Sequence, residues 1–508
     1  MTILVRNLLL ASSAVLGLTH GVGYAADTGP AKSDEPAEVI ITAAPYAVSL
    51  QTLTTSVDVV GRNELDLATP AGLGDVLNGL SGVRSTFFGP GASRPVIRGL
   101  SGPRVMILQN GVGLVDASSV SPDHAVASDP NEATRIEVLR GPSTLAYGGS
   151  GIGGVVNVVD ERVPSSAAKT GMEGRLAASY GTVDDGRSVS GGLKAGKGPL
   201  VFSVDGSTRR SDDYSVPTAF GNTQVPNSDV KLDAFGGGVS YVHDTGYFGA
   251  SIKRTDTTYG VPYPEVRILG GPAPGGEGPV MIDLRQTRID VRGEQDLELG
   301  LFNRARLSIG HADYRHQEID RTTGDIGTTF LSSGFEGRLE LMEREHEGHA
   351  GAVGFQVLDR KLEAIGDEAF IPNVKISELG AFTLQRLDRD VWGVEAGGRI
   401  DRRKLEAPTE ARAFTNVSAS AGVFLRPAQS WFLALSLSHN RRSPTEVELF
   451  ADGPHPGTNA FEVGDSTLRP EAVNSAEVTA RFGGDVFHIE THVFVARYND
   501  FIDERPTG

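Results

Sequence analysis

The sequence predicts a mainly β protein, with a small globular N-terminal domain followed by an antiparallel β-barrel that spans a membrane. Three observations predict it. The first residues form an export signal. No later stretch approaches the roughly 20 consecutive apolar residues that a spanning helix needs. From about residue 170 onward, segments of about ten residues alternate apolar and polar side chains, separated by connections that are alternately short and long, as in outer-membrane barrels.

Met1 to Arg6 carries a positive charge, Leu8 to Leu18 is apolar and small, and Gly21 to Ala26 supplies small residues at cleavage spacing. Residues 1–26 therefore read as a secretory signal peptide. Residues 27–49 read as a polar, proline-containing flexible linker. Within it Glu38, Val39, Ile40, Ile41, Thr42 and Ala43 form a short β-prone stretch, either an edge strand or a strand offered to another protein's sheet. Residues 50–165 read as a compact mixed domain. Strands are expected at Val57–Val60, Pro95–Arg98, Arg104–Leu108 and Arg135–Leu139, with a helix at Leu73–Leu80.

Residues 170–508 read as a partial barrel of about 15 strands. Trp431, Leu433, Leu435 and Leu437 share one face, with Ser436 and Ser438 on the other, and Phe335, Gly337, Leu339 and Leu341 alternate with Glu336, Arg338 and Glu340. Short turns are expected at 196–199, 243–246, 345–349, 426–429 and 483–485, and long outer connections at about 210–230, 257–283, 315–333, 360–373 and 441–471. Bacterial single-chain barrels have an even number of strands. An odd count ending at Pro506-Thr-Gly508 carries the expectation of a C-terminally truncated chain.

Among 508 residues there is no cysteine, which excludes a disulfide scaffold and thiolate metal sites. The formal net charge of −17 opposes nucleic acid as a partner. Gly149-Ser-Gly-Ile-Gly-Gly154 fits a dinucleotide fingerprint, but β-prone Val155-Val-Asn-Val-Val159 follows where a helix is required. A tight glycine turn is the better reading. No Ser/His/Asp set, P-loop or zinc-hydrolase motif occurs at workable spacing, so a non-enzyme is expected.

Pro95-Val-Ile-Arg-Gly-Leu100, Arg104-Val-Met-Ile-Leu-Gln-Asn-Gly111 and Ile136-Glu-Val-Leu-Arg-Gly-Pro-Ser-Thr-Leu-Ala-Tyr-Gly148, running on into Gly151-Ile-Gly-Gly-Val-Val-Asn-Val158, closely resemble the plug domain of TonB-dependent outer-membrane receptors. The resemblance implies a four-stranded plug inside a 22-stranded barrel, an outer-membrane location, and energy-coupled import. It also implies that Glu38–Ala43 is the box that binds TonB of the TonB-ExbB-ExbD complex by strand addition.

Ser119-Val-Ser-Pro-Asp-His-Ala125 holds the adjacent pair Asp123 and His124, which alone reads as a solvated apical loop. His316-Gln-Glu318 begins one connection placed outside, and His455 lies in the longest one. Imidazole nitrogen and carboxylate oxygen are standard zinc ligands, whereas hard-cation sites use mainly oxygen. Ser121-Pro-Asp-His124, Ser438–Phe450 with Gly453-Pro-His455 and Thr458–Gly464, and more loosely Tyr314-Arg-His-Gln-Glu318, resemble the zinc-uptake (ZnuD-like) subfamily. That resemblance implies Asp123, His124, Glu318 and His455 as zinc ligands, zinc being cargo rather than cofactor. The chain departs from the subfamily in lacking a histidine-rich outer loop. A ferric-siderophore or cobalamin receptor is the alternative. His346 and His349 fall on a short turn, and His439, His488 and His492 are weaker candidates.

Overall fold

The computed structural model describes residues 45–46, 50–68, 71–217, 223–262, 279–455, 460–484 and 487–505. The leader and the Glu38–Ala43 stretch lie outside the described residues.

The N-terminal domain carries β1 (Val57–Gly61), α1 (Arg62–Ala68), α2 (Leu73–Leu77), β2 (Val83–Ser85), β3 (Pro95–Ile97), β4 (Val105–Gln109), β5 (Val112–Gly113), β6 (Arg135–Leu139) and β7 (Gly154–Val159). Its main sheet runs β1-β6-β7-β4-β5, and β2 pairs only with β3. The expected four strands become five because Gly111, at positive φ, turns the chain back so that Val112 and Gly113 pair with Gln109 and Leu108. Leu65, Leu73, Leu77, Ile97, Ile136, Val138 and Val156 close the core between the helices and this sheet. The glycine-rich run is a tight turn that feeds β7 directly, as its β-prone sequel requires.

The second part is one antiparallel sheet of 15 strands, the number expected from the sequence. Its strands are β8 (Met172–Gly181), β9 (Gly186–Lys197), β10 (Leu200–Ser211), β11 (Val230–His243), β12 (Gly246–Gly260), β13 (Val280–Leu299), β14 (Phe302–Asp320), β15 (Ile326–Glu343), β16 (His349–Ile365), β17 (Val374–Arg389), β18 (Trp392–Glu406), β19 (Ala411–Leu425) and β20 (Trp431–Arg442). After a segment carrying α3 (Glu446–Phe450) and the hairpin β21 (Asp452–His455)–β22 (Ala460–Val463) come β23 (Glu471–Gly483) and β24 (His488–Asn499). Sequence neighbours pair throughout, with β8 and β24 at the edges.

The sheet is inside out relative to a soluble protein. Phe202, Ile252, Phe335, Leu339, Phe355, Leu379, Ile400 and Leu435 are exposed on its outer face, while Arg288, Glu336, Arg338, Arg399, Asp401 and Glu477 are buried on the inner one. An apolar band outside and polar groups inside is what hydrocarbon around a filled lumen demands. Among the described residues no helix is long and apolar enough to cross a membrane. The inner face grips the N-terminal domain through ion pairs such as Arg98–Glu477 at 2.7 Å and Arg104–Glu471 at 2.6 Å.

One expected connection is not a loop. His316 and Glu318 lie within β14, which runs to Asp320, and β15 resumes at Ile326. The turn between them is short, with Asp320 Oδ1 accepting from the amides of Thr322 at 2.6 Å and Thr323 at 3.0 Å. The polarity of this stretch belongs to a lumen-facing strand end, where inward side chains are polar without leaving the ladder.

A candidate metal centre between plug and barrel

Between β5 and β6 the chain leaves the plug sheet as a long apical excursion, and the barrel pins it. Gln286 donates to the Leu114 carbonyl at 3.1 Å, and Arg360 donates to that of Asp116 at 2.6 Å. Asp116 in turn accepts from the amides of Ser118 at 3.2 Å and Ala127 at 3.0 Å, closing the excursion on itself. Tyr259, at the end of β12, donates its hydroxyl to the Asp123 carbonyl at 2.9 Å and accepts from the Ala125 amide at 2.8 Å. The turn that packs on Tyr259 needs glycine, since a Cβ at Gly91 would lie 2.5 Å from the tyrosine ring. Asp123 and His124 are thus held between two fixed hydrogen bonds.

The structure brings together all four residues singled out as ligands, and adds a fifth. Asp123, His124 and His455 form one group of converging ligand atoms, and His124, His316 and Glu318 form another, with the atoms of each group within 4.8 Å of one another. His124 belongs to both. All five residues are at most 5 % exposed, so the Asp-His pair is not the solvated loop that its sequence alone describes. Tetrahedral zinc, with bonds of about 2.0–2.2 Å, sets its ligand atoms about 3.4 Å apart. His124 Nε2 and Glu318 Oε1, at 3.1 Å, already meet that spacing, and His316 Nε2 stands 3.8 Å from the same oxygen.

Proton placement strengthens this reading. His124 Nδ1 lies 3.0 Å from the Ala117 carbonyl, which only accepts, so Nδ1 carries a hydrogen. In the neutral ring Nε2 then presents a lone pair to the Glu318 carboxylate. Two acceptors in contact need a cation between them, either a proton or a metal ion. Burial disfavours the imidazolium, but the Asp123 charge and the Glu318 contact outweigh it and raise the His124 pKa above its ordinary value. His316 is oriented by Tyr314, whose hydroxyl lies 2.6 Å from Nδ1, and its Nε2 is buried with no hydrogen-bond partner among the described residues. His455 bonds Glu462 through Nδ1 and stacks on Phe370 at 4.1 Å between ring centroids, so its ring plane is fixed. A carboxylate behind a ligating imidazole is the usual outer support of a metal site.

The other histidine candidates among the described residues lie elsewhere. His346 and His349 bracket the turn between β15 and β16, at the far end of the barrel from Glu318. His439 is exposed and bonds Asn474, and His492 bonds Glu477 and Glu490.

Comparison with known proteins decides the family. Residues 49–155 match the TonB-dependent receptor plug domain, and residues 165–508 match the TonB-dependent receptor-like β-barrel. The chain belongs to the TonB-dependent receptor family. Among curated relatives of this receptor, the vitamin B12 transporter BtuB of Photobacterium profundum is 26 % identical over 231 residues, an alignment covering 44 % of the chain and 37 % of that relative. The chain therefore aligns with well under two thirds of the relative's length.

Solved structures share the fold. The copper transporter OprC superimposes with a TM-score of 0.71 at 18 % identity, covering 89 % of this chain and 72 % of that one. The Serratia marcescens hemophore receptor HasR, in complex with its hemophore HasA and heme, gives 0.73 at 15 %, covering 88 % and 74 %. The Neisseria meningitidis iron transporter FrpB gives 0.71 at 13 %, covering 88 % and 73 %.

Sequence reasoning missed His316, although the signal was available. His316 and Glu318 are two residues apart, so on a strand they share a face. Reading the segment as a loop discarded that periodicity. Tyr259 carried no signal, because its hydrogen bonds to Asp123 and Ala125 cross the plug–barrel seam, and Tyr314 meets His316 from two residues away on the same strand.

Proposed function

We propose that this receptor imports a divalent transition metal across the outer membrane, with zinc as the favoured cargo, and that Asp123, His124, Glu318 and His455, joined by His316, hold the ion on its way in. One observation carries the reading: a buried imidazole, His124, shared by two convergent sets of histidine and carboxylate ligands. Three imidazoles among five donors suit zinc or copper and disfavour calcium or magnesium, which take oxygen. The family bears on the process more than on the cargo, since one fold serves many ligands. OprC is a copper transporter by name, and copper would be accepted by the same donors. The resemblance of the plug and loop motifs to the zinc-uptake subfamily tips the choice to zinc. A receptor that binds and releases an ion needs no catalytic group, and the reading assigns none.

Energy would come from TonB, paired with Glu38–Ala43 as an added strand. Deleting the gene and measuring uptake of labelled zinc at limiting concentration tests the proposal. Uptake should fall and return on complementation. Intact zinc uptake together with lost uptake of a ferric siderophore or of cobalamin would establish the alternative instead.

A further inference from the structure

Beside the metal centre lies a cavity of about 540 Å³, within the size range of sites for small molecules. His455, Ser119, Ser121 and Pro122 line it, so it adjoins the candidate metal centre, and Arg94 lines it as well. Arg94 directly precedes β3 in the plug and is only 5 % exposed. Its backbone is fixed by the amide donating to Thr86 Oγ1 at 3.1 Å. Among the described residues its guanidinium makes no ion pair, and its Nε is buried with no hydrogen-bond partner. The opposite charge that bears on it, that of Asp116, is committed to Ser118 and Ala127. Among the other described charged groups around the cavity, Arg104 pairs with Glu471, Glu448 with Arg442, Asp503 with Arg505 and Glu462 with His455, Asp465 accepts from Thr467, and Glu504 makes no ion pair, so Arg94 is the unpaired cation of the lining. Burial pulls the Arg94 pKa down to about 10, the mark of a cation short of partners.

A buried, unpaired guanidinium is costly and has no packing advantage over an apolar side chain of similar size. Its planar fork matches a carboxylate. We propose that the cavity receives the organic part of a metal chelate, a small carboxylate-bearing ligand that Arg94 grips while the metal meets His455 and the Asp123–His124 pair. The inference rests on the metal-import reading and specifies its cargo: metal delivered as a carboxylate complex and not only as the bare ion.

The test uses the full chain in detergent, titrated with zinc alone, citrate alone, zinc–citrate and zinc–histidine, in wild type, Arg94→Gln and Arg94→Met. A hydrogen-bonded charge pair of this kind corresponds to roughly 10- to 100-fold in affinity. Wild type should bind a zinc–carboxylate complex at least about tenfold tighter than either arginine variant does. All three proteins should bind zinc alone equally. Arg94→Met should unfold at the same temperature as wild type or higher, whereas a merely structural arginine would leave it less stable. Which chelate gains more separates a tricarboxylate from an amino acid as the source. The proposal is overturned if citrate and histidine only strip zinc from the protein, equally in all three. If zinc alone fails to bind but citrate binds in an Arg94-dependent way, the anion site stands and the metal reading falls. If neither binds, both fall.

Discussion

The sharpest consequence of the shared imidazole concerns His124→Ala. His124 is the one residue common to both groups of converging ligand atoms, so its removal leaves Asp123 with His455 on one side and His316 with Glu318 on the other. Each remaining pair is below the three protein ligands that even open zinc sites keep. Apparent zinc affinities of four-ligand structural sites are about 10–16 kcal/mol, or about 3 kcal/mol per ligand if shared evenly, which is about two orders of magnitude in Kd. His316→Ala removes a ligand from one group only and should cost less, about tenfold. Isothermal titration of zinc into the purified receptor, with a competing chelator of known affinity, measures both. His124→Ala also strands Glu318, whose remaining imidazole partner is His316 at 3.8 Å. The variant Glu318→Gln removes that carboxylate charge and controls for misfolding, and it should itself weaken zinc by about tenfold or more. If His124→Ala binds zinc within threefold of wild type while unfolding normally, the shared-imidazole centre is wrong.

Three further outcomes follow from the same geometry. Zinc needs His124 neutral, and Asp123 and Glu318 raise its pKa; affinity should therefore begin to fall while the pH is still above about 6.5, and then by about tenfold per unit, which competition titrations between pH 5.5 and 8 would show; flat affinity down to pH 6 contradicts it. Tyr259→Phe removes the hydroxyl that ties Asp123 and Ala125 to β12; zinc binding should weaken by roughly tenfold with stability down by about 1–3 kcal/mol, measured by titration and thermal unfolding. His346→Ala with His349→Ala, on the far turn, should leave zinc affinity unchanged, and a loss there would move the site to the other end of the barrel.

The sequence carried the strands well and the centre only in part. Barrel strands are legible because the outer face must be apolar and each second residue reports it, as Trp431, Leu433, Leu435 and Leu437 do on β20. The inner face has no such constraint. Arg288, Glu336, Arg338 and Arg399 look like solvated residues in the sequence and are buried against the plug. The same blindness turned the end of β14 into a loop and left His316 uncounted. Asp123 and His124 were picked out by motif, but their burial depends on Tyr259 and Glu318, partners 136 and 194 positions away. Arg94 is the extreme case: what distinguishes it is the lack of an ion-pair partner among the described residues, and only the fold can show that.

The placement of the centre has a mechanical consequence. Asp123 and His124 belong to the plug, and Glu318, His316 and His455 to the barrel, so an ion bound there cross-links the two. Whatever stabilises the ion also stabilises the docked plug, by RT ln(1 + [L]/Kd), about 2.7 kcal/mol at a hundredfold excess over Kd. The reverse must hold as well: a plug displaced enough to separate His124 from Glu318 splits both ligand groups at once and lowers the affinity by the full cross-seam contribution. On the proposed metal-import reading, inward release would require no competing site and no change of pH, only movement at the seam. Elsewhere on the seam, ion pairs such as Arg98–Glu477, Arg104–Glu471 and Arg162–Asp205 involve none of the five ligand residues. They keep the plug seated when the centre is empty. A receptor built this way should show metal-dependent protection of the 114–127 segment from hydrogen exchange, with β1 and β6 unaffected. Protection spread evenly over the plug sheet would mean that the ion acts on the whole domain and not at the seam.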